Sequence, residues 1–285
     1  MDVQLTVEQN NLITSIAENE GFNEFDITTS SGSSKGDHYM GVITKVSVKN
    51  HHRKLELIMK TAPTNTKLRD IIPESVIFEN LKEIGYDLWD RKKPMNWDHI
   101  VLVLKEYGKL HAVSLAMKEK NPGLYERLTE DMENLYIKMY EGDDETKRKK
   151  MEDAKKFVGV GIKALKGHQS AMEALERFSL TAYEYMNKDI AMKEDALVFL
   201  HGDCWCNNIL FKYEDPTTKT PSKACLIDWQ LSWTGSPAMD LAYFLFTCAP
   251  KEILADYEKC LRIYHEAACE TLTSIGCDPR NFVSF

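Results

Sequence analysis

Four polar side chains lie close together between two apolar runs, and three of them have the spacing His-x-Asp-x-x-x-x-Asn. They are His201, Asp203, Asn207 and Asn208, and Asp228 ends the next apolar run. Phosphoryl transfer needs a carboxylate near the acceptor hydroxyl and oxygen ligands for Mg²⁺ beside the nucleotide phosphates. Mg²⁺ prefers an oxygen shell with few carboxylates, which suits one Asn and one Asp. We therefore predict Asp203 as the base and Asn208 and Asp228 as metal ligands. His201 would hold the loop in shape through hydrogen bonds.

Two other interpretations of this segment stay open at the level of the sequence. Asp and Asn are common turn residues, so any one of these side chains alone would indicate a turn. Cys204 and Cys206 lie in the same segment and could act with His201 in a cysteine-dependent hydrolase, although no base is visibly paired with either thiol. The combination of His, Asp and Asn at fixed offsets, with Asp228 closing the next strand, favours the kinase-type site.

Short strands and a helix must position this segment. Apolar runs at 197–200 and 209–211 flank it and predict a strand–loop–strand arrangement, and 224–227 predicts a third strand. Asp240 lies in the first turn of the helix predicted next, where a carboxylate suits the helix dipole. The sharper hypothesis is that Asp240 hydrogen-bonds the loop.

A small-residue stretch at 27–39 predicts a loop before a strand at 40–48. Glycine permits the close approach and unusual dihedrals with which backbone N–H groups bind phosphate, although a plain hairpin turn is the alternative. The strand predicted at 55–61 carries Lys60, which we expect to contact the nucleotide phosphates; a solvent-facing lysine is the alternative. The residues expected to line the phosphate loop are Gly32, Ser33, Ser34, Lys35 and Gly36.

Helical patterns dominate the rest of the chain. Thr6 and Gln9 have capping-box spacing at the start of a helix predicted to run to residue 20. Asn96 is predicted to cap a long helix that stops at 122–123, and 251–275 is predicted to be one amphipathic helix. A strand at 75–81 looks like a connector between lobes, where backbone groups of Glu79, Asn80 and Leu81 could pair with an adenine edge.

Composition limits the class of protein. The 285 residues are 43% hydrophobic and 28% charged, which is typical of a globular protein, and the net charge of −8 argues against a nucleic-acid partner. No apolar run reaches membrane-spanning length and no signal-peptide pattern begins the chain, so we expect a cytoplasmic protein without a membrane partner. Seven cysteines without a Cys-x-x-Cys pair argue against structural zinc and favour reduced thiols.

The motifs together resemble one family. The segment His201-Gly-Asp-Cys-Trp-Cys-Asn-Asn-Ile-Leu-Phe211, then Ile227-Asp-Trp-Gln230, then Gly235-Ser-Pro-Ala-Met-Asp-Leu-Ala242, resembles the insect ecdysteroid kinase-like family. This family, also called CHK kinase-like, is related to choline kinase and aminoglycoside phosphotransferases. The stretches around Gly32, Lys60, Glu79 and His111 also resemble its motifs, in the same order.

The resemblance implies a bilobal protein-kinase-like fold of the α+β class. Its small antiparallel-sheet N-lobe would occupy 1–83, and its larger, mainly helical C-lobe 84–285. ATP and Mg²⁺ would be the cofactors, and the acceptor would be a small-molecule hydroxyl, with ecdysteroid alcohols the substrate that names the family. Glu79, Asn80 and Leu81 would form the adenine hinge. The sequence indicates no oligomeric state.

Two departures from the family pattern accompany the resemblance. Family members place a helix with a lysine-pairing glutamate, and a further strand, before the hinge strand. Only 61–74 are available here, and they contain Pro63 and Pro73. The chain also ends at Phe285, where the family usually continues. We therefore expect a shortened form, such as a splice product or an incomplete gene model. The alternative function is a catalytically impaired kinase fold that binds nucleotide or sterol.

Overall fold

The computed structural model describes residues 3–32, 41–62, 75–132, 143–187, 197–215, 217 and 220–282. The chain forms two units. The sheet unit comprises Met1–Asp87 and Lys212–Lys219, and the helical unit comprises Leu88–Phe211 and Thr220–Phe285. The predicted α+β class, with a small antiparallel sheet and a larger, mainly helical part, is confirmed. The division of the chain at residue 83 stays a prediction.

The sheet unit is a four-stranded antiparallel sheet with one helix. The strands β1 to β4 lie in sequence order, and helix α1 begins with the predicted capping box, in which Gln9 N donates to Thr6 Oγ1 over 3.2 Å. Alternate apolar side chains pack with the helix, as a half-buried sheet requires. These elements are α1 (Val7–Asn19), β1 (Asp26–Ser31), β2 (Val42–Lys49), β3 (Lys54–Thr61) and β4 (Ser75–Glu79). The core is formed by Ile13, Ala17, Phe22, Val46, Val48, Leu57 and Met59.

The prediction of a loop over 27–39 is wrong for residues 27–31. They belong to β1, where Ile27 lies opposite Val48 and Ser31 lies opposite Thr44. The serines and threonines suggested a loop. Their backbone groups nevertheless pair with the antiparallel strand β2 along its length, and threonine is common in strands. The strand predicted at 75–81 stops at Glu79, because a 3₁₀ helix begins at Leu81.

The helical unit is built around one long helix. Helix α2 (Trp97–Lys120) begins at the predicted cap, where His99 N donates to Asn96 Oδ1 over 3.2 Å. Helix α2 ends before Pro122 as predicted, and Pro122 is also the first residue of the next helix. The helices that follow are α3 (Pro122–Thr129), α4 (Asp144–Ala164), α5 (Gln169–Asn187), α6 (Pro237–Cys248), α7 (Lys251–Leu254) and α8 (Tyr257–Ser274). Within the described part of the chain, no helix is long and apolar enough to cross a bilayer.

The single helix predicted over 251–275 is wrong, because α7 and α8 are separate. Asp256 interrupts the pattern with non-helical backbone angles, φ −121° and ψ 49°. Aspartate is unfavourable in the interior of a helix, because its short side chain hydrogen-bonds nearby backbone groups in cap and turn conformations. The amphipathic period continues across the interruption, so the sequence pattern did not reveal it.

Five short strands complete the description. They are β5 (Tyr86–Leu88), β6 (Val198–Leu200), β7 (Ile209–Lys212), β8 (Lys223–Leu226) and β9 (Trp233–Gly235). Two sheets result, with the orders β5-β7-β8 and β6-β9. The predicted strands on either side of the 201–208 segment are therefore both present, but they lie in different sheets. The segment carries the chain from one sheet to the other.

Close packing of α2 on α8 depends on Gly108. A Cβ atom at this position would lie 2.7 Å from Tyr264 O and 2.8 Å from Ala267 Cβ. We expect Gly108→Ala to lower the free energy of unfolding by about 1–3 kcal/mol, because the helices must move apart. Urea denaturation measures this. Gly159→Ala is the matched control in α4, where nothing lies within 4 Å, and it should stabilise by about 0.5–1 kcal/mol. Equal effects of the two substitutions would contradict this account.

Acid sensitivity of the helical unit follows from His99. Its ring is buried between Trp89 and Phe211, at centroid distances of 4.4 and 4.6 Å, and burial lowers the pKa of His99 to about 4. Unfolding restores the ordinary pKa of 6.5, so the unfolded chain binds an extra proton between these values. Stability is therefore lost as the pH falls from about 6.5 towards about 4, by on the order of 2 kcal/mol at about pH 5.

Urea denaturation at a series of pH values tests this expectation. His99→Gln should flatten the acid loss of unfolding free energy, whereas His168→Gln, at an exposed position, should leave it as in the wild type. An unchanged slope in the His99 variant would show that other groups cause the loss.

Candidate active site

The 201–208 segment is anchored at its start by the buried carboxylate of Asp240. Asp240 Oδ2 accepts a hydrogen bond from His201 N over 2.7 Å, and Oδ1 accepts one from Gly202 N over 3.0 Å. Ser236, not Asp240, caps α6, since its Oγ accepts from Ala238 N. The carboxylate therefore fixes the segment, as the sharper of the two sequence hypotheses required.

His201 holds the middle of the segment with both ring nitrogens. Nε2 lies 2.9 Å from the carbonyl oxygen of Ile227, and Asp203 N donates to Nδ1 over 3.3 Å. This pattern fits a neutral imidazole with the proton on Nε2, and burial lowers the pKa of His201 accordingly. Because both nitrogens are engaged, the ring supports the segment and does not serve as a base.

Asp203 is a half-buried carboxylate with two defined partners. The Tyr243 hydroxyl donates to Oδ1 over 2.9 Å, and Asn208 Nδ2 donates to Oδ2 over 3.2 Å. Burial raises the pKa of Asp203 and the charge of Asp228 raises it further, whereas the bonds from Tyr243 and Asn208 oppose the shift. A carboxylate that is oriented and partly desolvated in this way is suited to accept a proton.

A main-chain bond places Asn208 beside the residue that precedes Asp228. Ile227 N donates to the carbonyl oxygen of Asn208 over 3.0 Å, which places Asp228 at the next position along the chain. The Asn208 amide nitrogen bonds both the main chain and the side chain of Asp203, so the orientation of the amide group is fixed. An amide oxygen and a carboxylate are the donor set that Mg²⁺ accepts, with water and phosphate oxygens completing the shell.

The backbone at Asp228 is unusual. Its φ of 69° and ψ of 62° are left-handed, and among the described residues no other non-glycine residue has a positive φ. Such conformations cost free energy and cluster at functional sites. In the same part of the chain, no cluster of three or more His, Cys, Asp or Glu side chains could hold a metal ion. A metal here would depend on Asn208 and Asp228.

Four residues near this site were not assigned from the sequence. Tyr243 is the most direct, since its hydroxyl contacts Asp203 from one turn beyond Asp240 on α6. Trp229 lies over His201 at a centroid distance of 4.6 Å. His111, on α2, places Nε2 3.4 Å from Asp240 Oδ2 and Nδ1 2.9 Å from the Tyr264 hydroxyl. The only sequence signal for Tyr243 was its position on the helix that carries Asp240.

Neither cysteine of the segment has a histidine base beside it, as a hydrolase would need. Cys204 is fully buried, and burial raises the pKa of its thiol. His201 is the base that a hydrolase would need, but both of its ring nitrogens are hydrogen-bonded to main-chain groups. The structure therefore gives no support to the cysteine-dependent hydrolase.

The described residues among those predicted to bind nucleotide lie in the sheet unit. Gly32 follows β1 and donates its N–H to Ile43 O over 2.9 Å, and Ile43 lies opposite Lys60 in the pairing of β2 with β3. Asn80 N donates to Glu56 O and Asn80 O accepts from Glu83 N, so this main chain is already engaged. Glu79 ends β4 and Leu81 begins the 3₁₀ helix. The other predicted phosphate-loop residues, Ser33, Ser34, Lys35 and Gly36, lie outside the described residues.

Comparison with known proteins identifies the family. The family model of the ecdysteroid kinase-like family matches residues 69–277, which is most of the chain. The chain belongs to the ecdysteroid kinase-like family. The matched range contains the whole 201–240 region, so the segment with Asp203, Asn208 and Asp228 is a feature of an ecdysteroid kinase-like protein. The resemblance noted from the motifs is thereby confirmed.

Two individual proteins are also similar to this ecdysteroid kinase-like chain. A 4-hydroxytryptamine kinase of Psilocybe cyanescens is 31% identical over 61 residues, and this match spans 21% of the chain and 16% of that kinase. The structure of a Plasmodium vivax ethanolamine kinase matches with a TM-score of 0.44 and 14% identity, and the match covers 94% of this chain and 76% of that one.

Proposed function

We propose that the protein is an ATP- and Mg²⁺-dependent small-molecule kinase that transfers the γ-phosphate to a hydroxyl group. The observation that carries this proposal is the arrangement at Asp203, whose carboxylate is held by Tyr243 and Asn208 while the charge of Asp228 acts on it. Membership of a kinase-like family supports the same reaction class. Proton acceptance next to a metal-binding pair is what phosphoryl transfer to an alcohol requires.

In this mechanism the chain orients groups more than it takes part covalently. Asp203 orients the acceptor hydroxyl and takes its proton as the oxygen attacks phosphorus, and Tyr243 keeps the carboxylate in the receiving position. Asn208 and Asp228 would hold Mg²⁺, which neutralises charge on the nucleotide phosphates when bound. Asp240 and His201 keep the segment rigid, so that the base does not need to be ordered during the reaction. Lys60 and the glycine-containing loop would bind the phosphates.

An ecdysteroid-type alcohol is the acceptor that the family implies, and exposed apolar side chains support an apolar acceptor. Met239, Tyr243 and Phe246 recur at helical spacing on α6, so they share one face, and all three are exposed. Trp229, beside Asp228 in the chain, is exposed as well. A steroid would cover such apolar surface while it presents a hydroxyl to Asp203. The free cysteines support a reducing, cytoplasmic location.

A phosphorylation assay tests the proposal. Purified protein is incubated with ATP and Mg²⁺ and a panel of hydroxylated steroids, indole alcohols and amino alcohols, and the products are analysed by mass spectrometry. A product heavier by one phosphoryl group, formed only with both ATP and Mg²⁺, supports the proposal. Formation of such a product at the same rate after chelation of divalent metal would overturn the metal assignment.

The second candidate is a kinase fold that binds nucleotide or sterol without turnover. The observation in its favour is that β3, which carries Lys60, pairs directly with β4, which leads to Glu79. Residues 62–74 are all that join the two strands, which leaves little chain for a helix with a glutamate partner. Thermal unfolding with and without Mg-ATP separates the candidates. Stabilisation without phosphorylated product favours the binder, and product formation excludes it.

A further inference from the structure

A cavity of about 280 Å³ in the helical unit is lined by two cysteines from distant parts of the chain. Cys206 begins the 3₁₀ turn Cys206–Asn208, and Cys248 is the last residue of α6. Both are almost fully buried from bulk solvent, at 7% and 4% exposure, yet both border this cavity. We propose that Cys206 and Cys248 form a redox-modification site, at which a hydroperoxide that enters the cavity converts the two thiols into a disulfide.

Proximity of the two thiols is the first requirement, and the shared cavity provides it. Cys206 and Cys248 both line the cavity, and their side chains interact with each other. The main chain at Cys248 is held in place, since Met95 N donates to its carbonyl oxygen over 2.8 Å. Disulfide formation needs Cβ atoms about 4 Å apart, and rotation of neighbouring side chains brings the two sulfurs into bonding distance.

Access and charge are the second requirement. The cavity is several times larger than the ~30 Å³ that a water molecule occupies in the liquid, so a small peroxide fits inside. Its lining includes the cationic side chains of Arg91, Lys92 and Lys93. Reactive cysteines are found beside cationic side chains, although Lys93 Nζ here also pairs with Asp90 Oδ2 over 3.3 Å. The proposal therefore combines a thiol pair with an entry path for the oxidant.

The chemical step is balanced by one peroxide per thiol pair. The sulfur of Cys206 attacks a peroxide oxygen, the O–O bond breaks, and the thiol proton leaves with the first water molecule. Cys248 then attacks the sulfur of the resulting sulfenic acid, the S–O bond breaks, and the second water molecule forms. Two thiols are oxidised to one disulfide, and hydrogen peroxide is reduced to two water molecules. The step requires no kinase activity, so its test is independent of the proposed function.

Cys204 is the thiol that could compete with Cys206. It lies two residues earlier and is fully buried, and it interacts with Tyr107 instead of lining the cavity. Burial raises the pKa of Cys204, which makes it a poor nucleophile. The structure therefore selects Cys206 as the thiol that meets the oxidant.

Oxidation of the native full-length chain with hydrogen peroxide tests the proposal. Free thiols are blocked by alkylation, and non-reduced tryptic peptides are sequenced by mass spectrometry. Trypsin leaves Cys204 with Cys206 and Cys225 with Cys248, so fragment ions must assign the bond. We expect a Cys206–Cys248 disulfide, the loss of two titratable thiols per chain, and recovery of both with dithiothreitol. In Cys248→Ser, oxidation should stop at a sulfenic acid on Cys206 that dimedone traps.

Controls exclude a non-specific result. Cys269→Ser, at a partly exposed cysteine of α8, should oxidise at the 206–248 pair like the wild type. Circular dichroism establishes that each variant is folded, and Cys206→Ser provides a second variant that must lack the disulfide. The proposal is overturned if Cys206 and Cys248 stay fully alkylatable at peroxide concentrations that oxidise Cys269. It is equally overturned if the bond joins Cys204 to Cys248, or if it forms only after denaturation.

Discussion

Replacement of Asp203 by asparagine is expected to lower kcat for phosphoryl transfer by about 10²–10⁴-fold, the usual contribution of a positioned base. Asparagine keeps the shape of the side chain, and both contacts survive if its oxygen accepts from Asn208 Nδ2 and its NH2 group donates to the Tyr243 hydroxyl. The loss therefore reports the missing base and not a displaced loop. The KM for ATP should change little, because Asn208 and Asp228 are intact. Steady-state kinetics with saturating acceptor measure the effect.

Measuring the stability of Asp203→Asn distinguishes a lost base from a folding defect. Because burial raises the pKa of Asp203, its ionised form is disfavoured in the folded state, and stability falls as the pH rises through that pKa. A neutral asparagine removes this loss, so the Tm at neutral pH should stay the same or rise. Asp215→Asn, at an exposed carboxylate whose partner is Thr217, is the matched control with unchanged kcat. Equal activity of wild type and Asp203→Asn would refute the assignment of the base.

Removal of the Asp240 carboxylate is expected to cause the largest loss of stability. Asp240→Ala leaves the N–H groups of His201 and Gly202 without their acceptor in a buried region, and His111 loses a partner as well. Each unsatisfied buried group costs about 1–3 kcal/mol, so the free energy of unfolding should fall by about 3–5 kcal/mol. Urea denaturation measures this, and kinase activity should be lost with it.

Two further variants are compared with Asp240→Ala. Asp240→Asn retains one acceptor oxygen and should lose roughly half as much stability as the alanine variant. Asp256→Ala removes an exposed carboxylate at the start of α8 that makes no capping bond, and it should change stability by less than about 0.5 kcal/mol. If Asp240→Ala and Asp256→Ala were equally mild, a simple helix-dipole role for Asp240 would suffice.

The sequence predicted those parts of the site that are local in the chain. His201, Asp203 and Asn208 lie within eight residues, so their spacing alone indicates a shared loop, and Thr6 and Asn96 signal helix starts through their own side chains. Tyr243 could not be predicted in the same way. Its contact with Asp203 depends on how α6 packs against the segment, and no periodic pattern carries that information.

Strand pairing is the second feature that could not be predicted from the sequence. The runs on either side of the 201–208 segment were correctly assigned as strands, but periodicity does not say which strands share a sheet. β6 pairs with β9, and β7 lies between β5 and β8, so the partners come from residues 86–88 and from residues beyond 220. In the same way, β1 is a strand because β2 lies beside it and not because of its serines and threonines.

The left-handed backbone at Asp228 restricts how this protein can evolve. Only glycine, asparagine and aspartate adopt such angles at low cost, because other side chains bring Cβ too close to the carbonyl oxygen. Because Asp228 is a proposed metal ligand, copies of the gene that lost the proposed activity would drift to asparagine or glycine at 228 before alanine or glutamate. Among duplicated copies in a genome, either substitution would indicate loss of that activity with the scaffold retained.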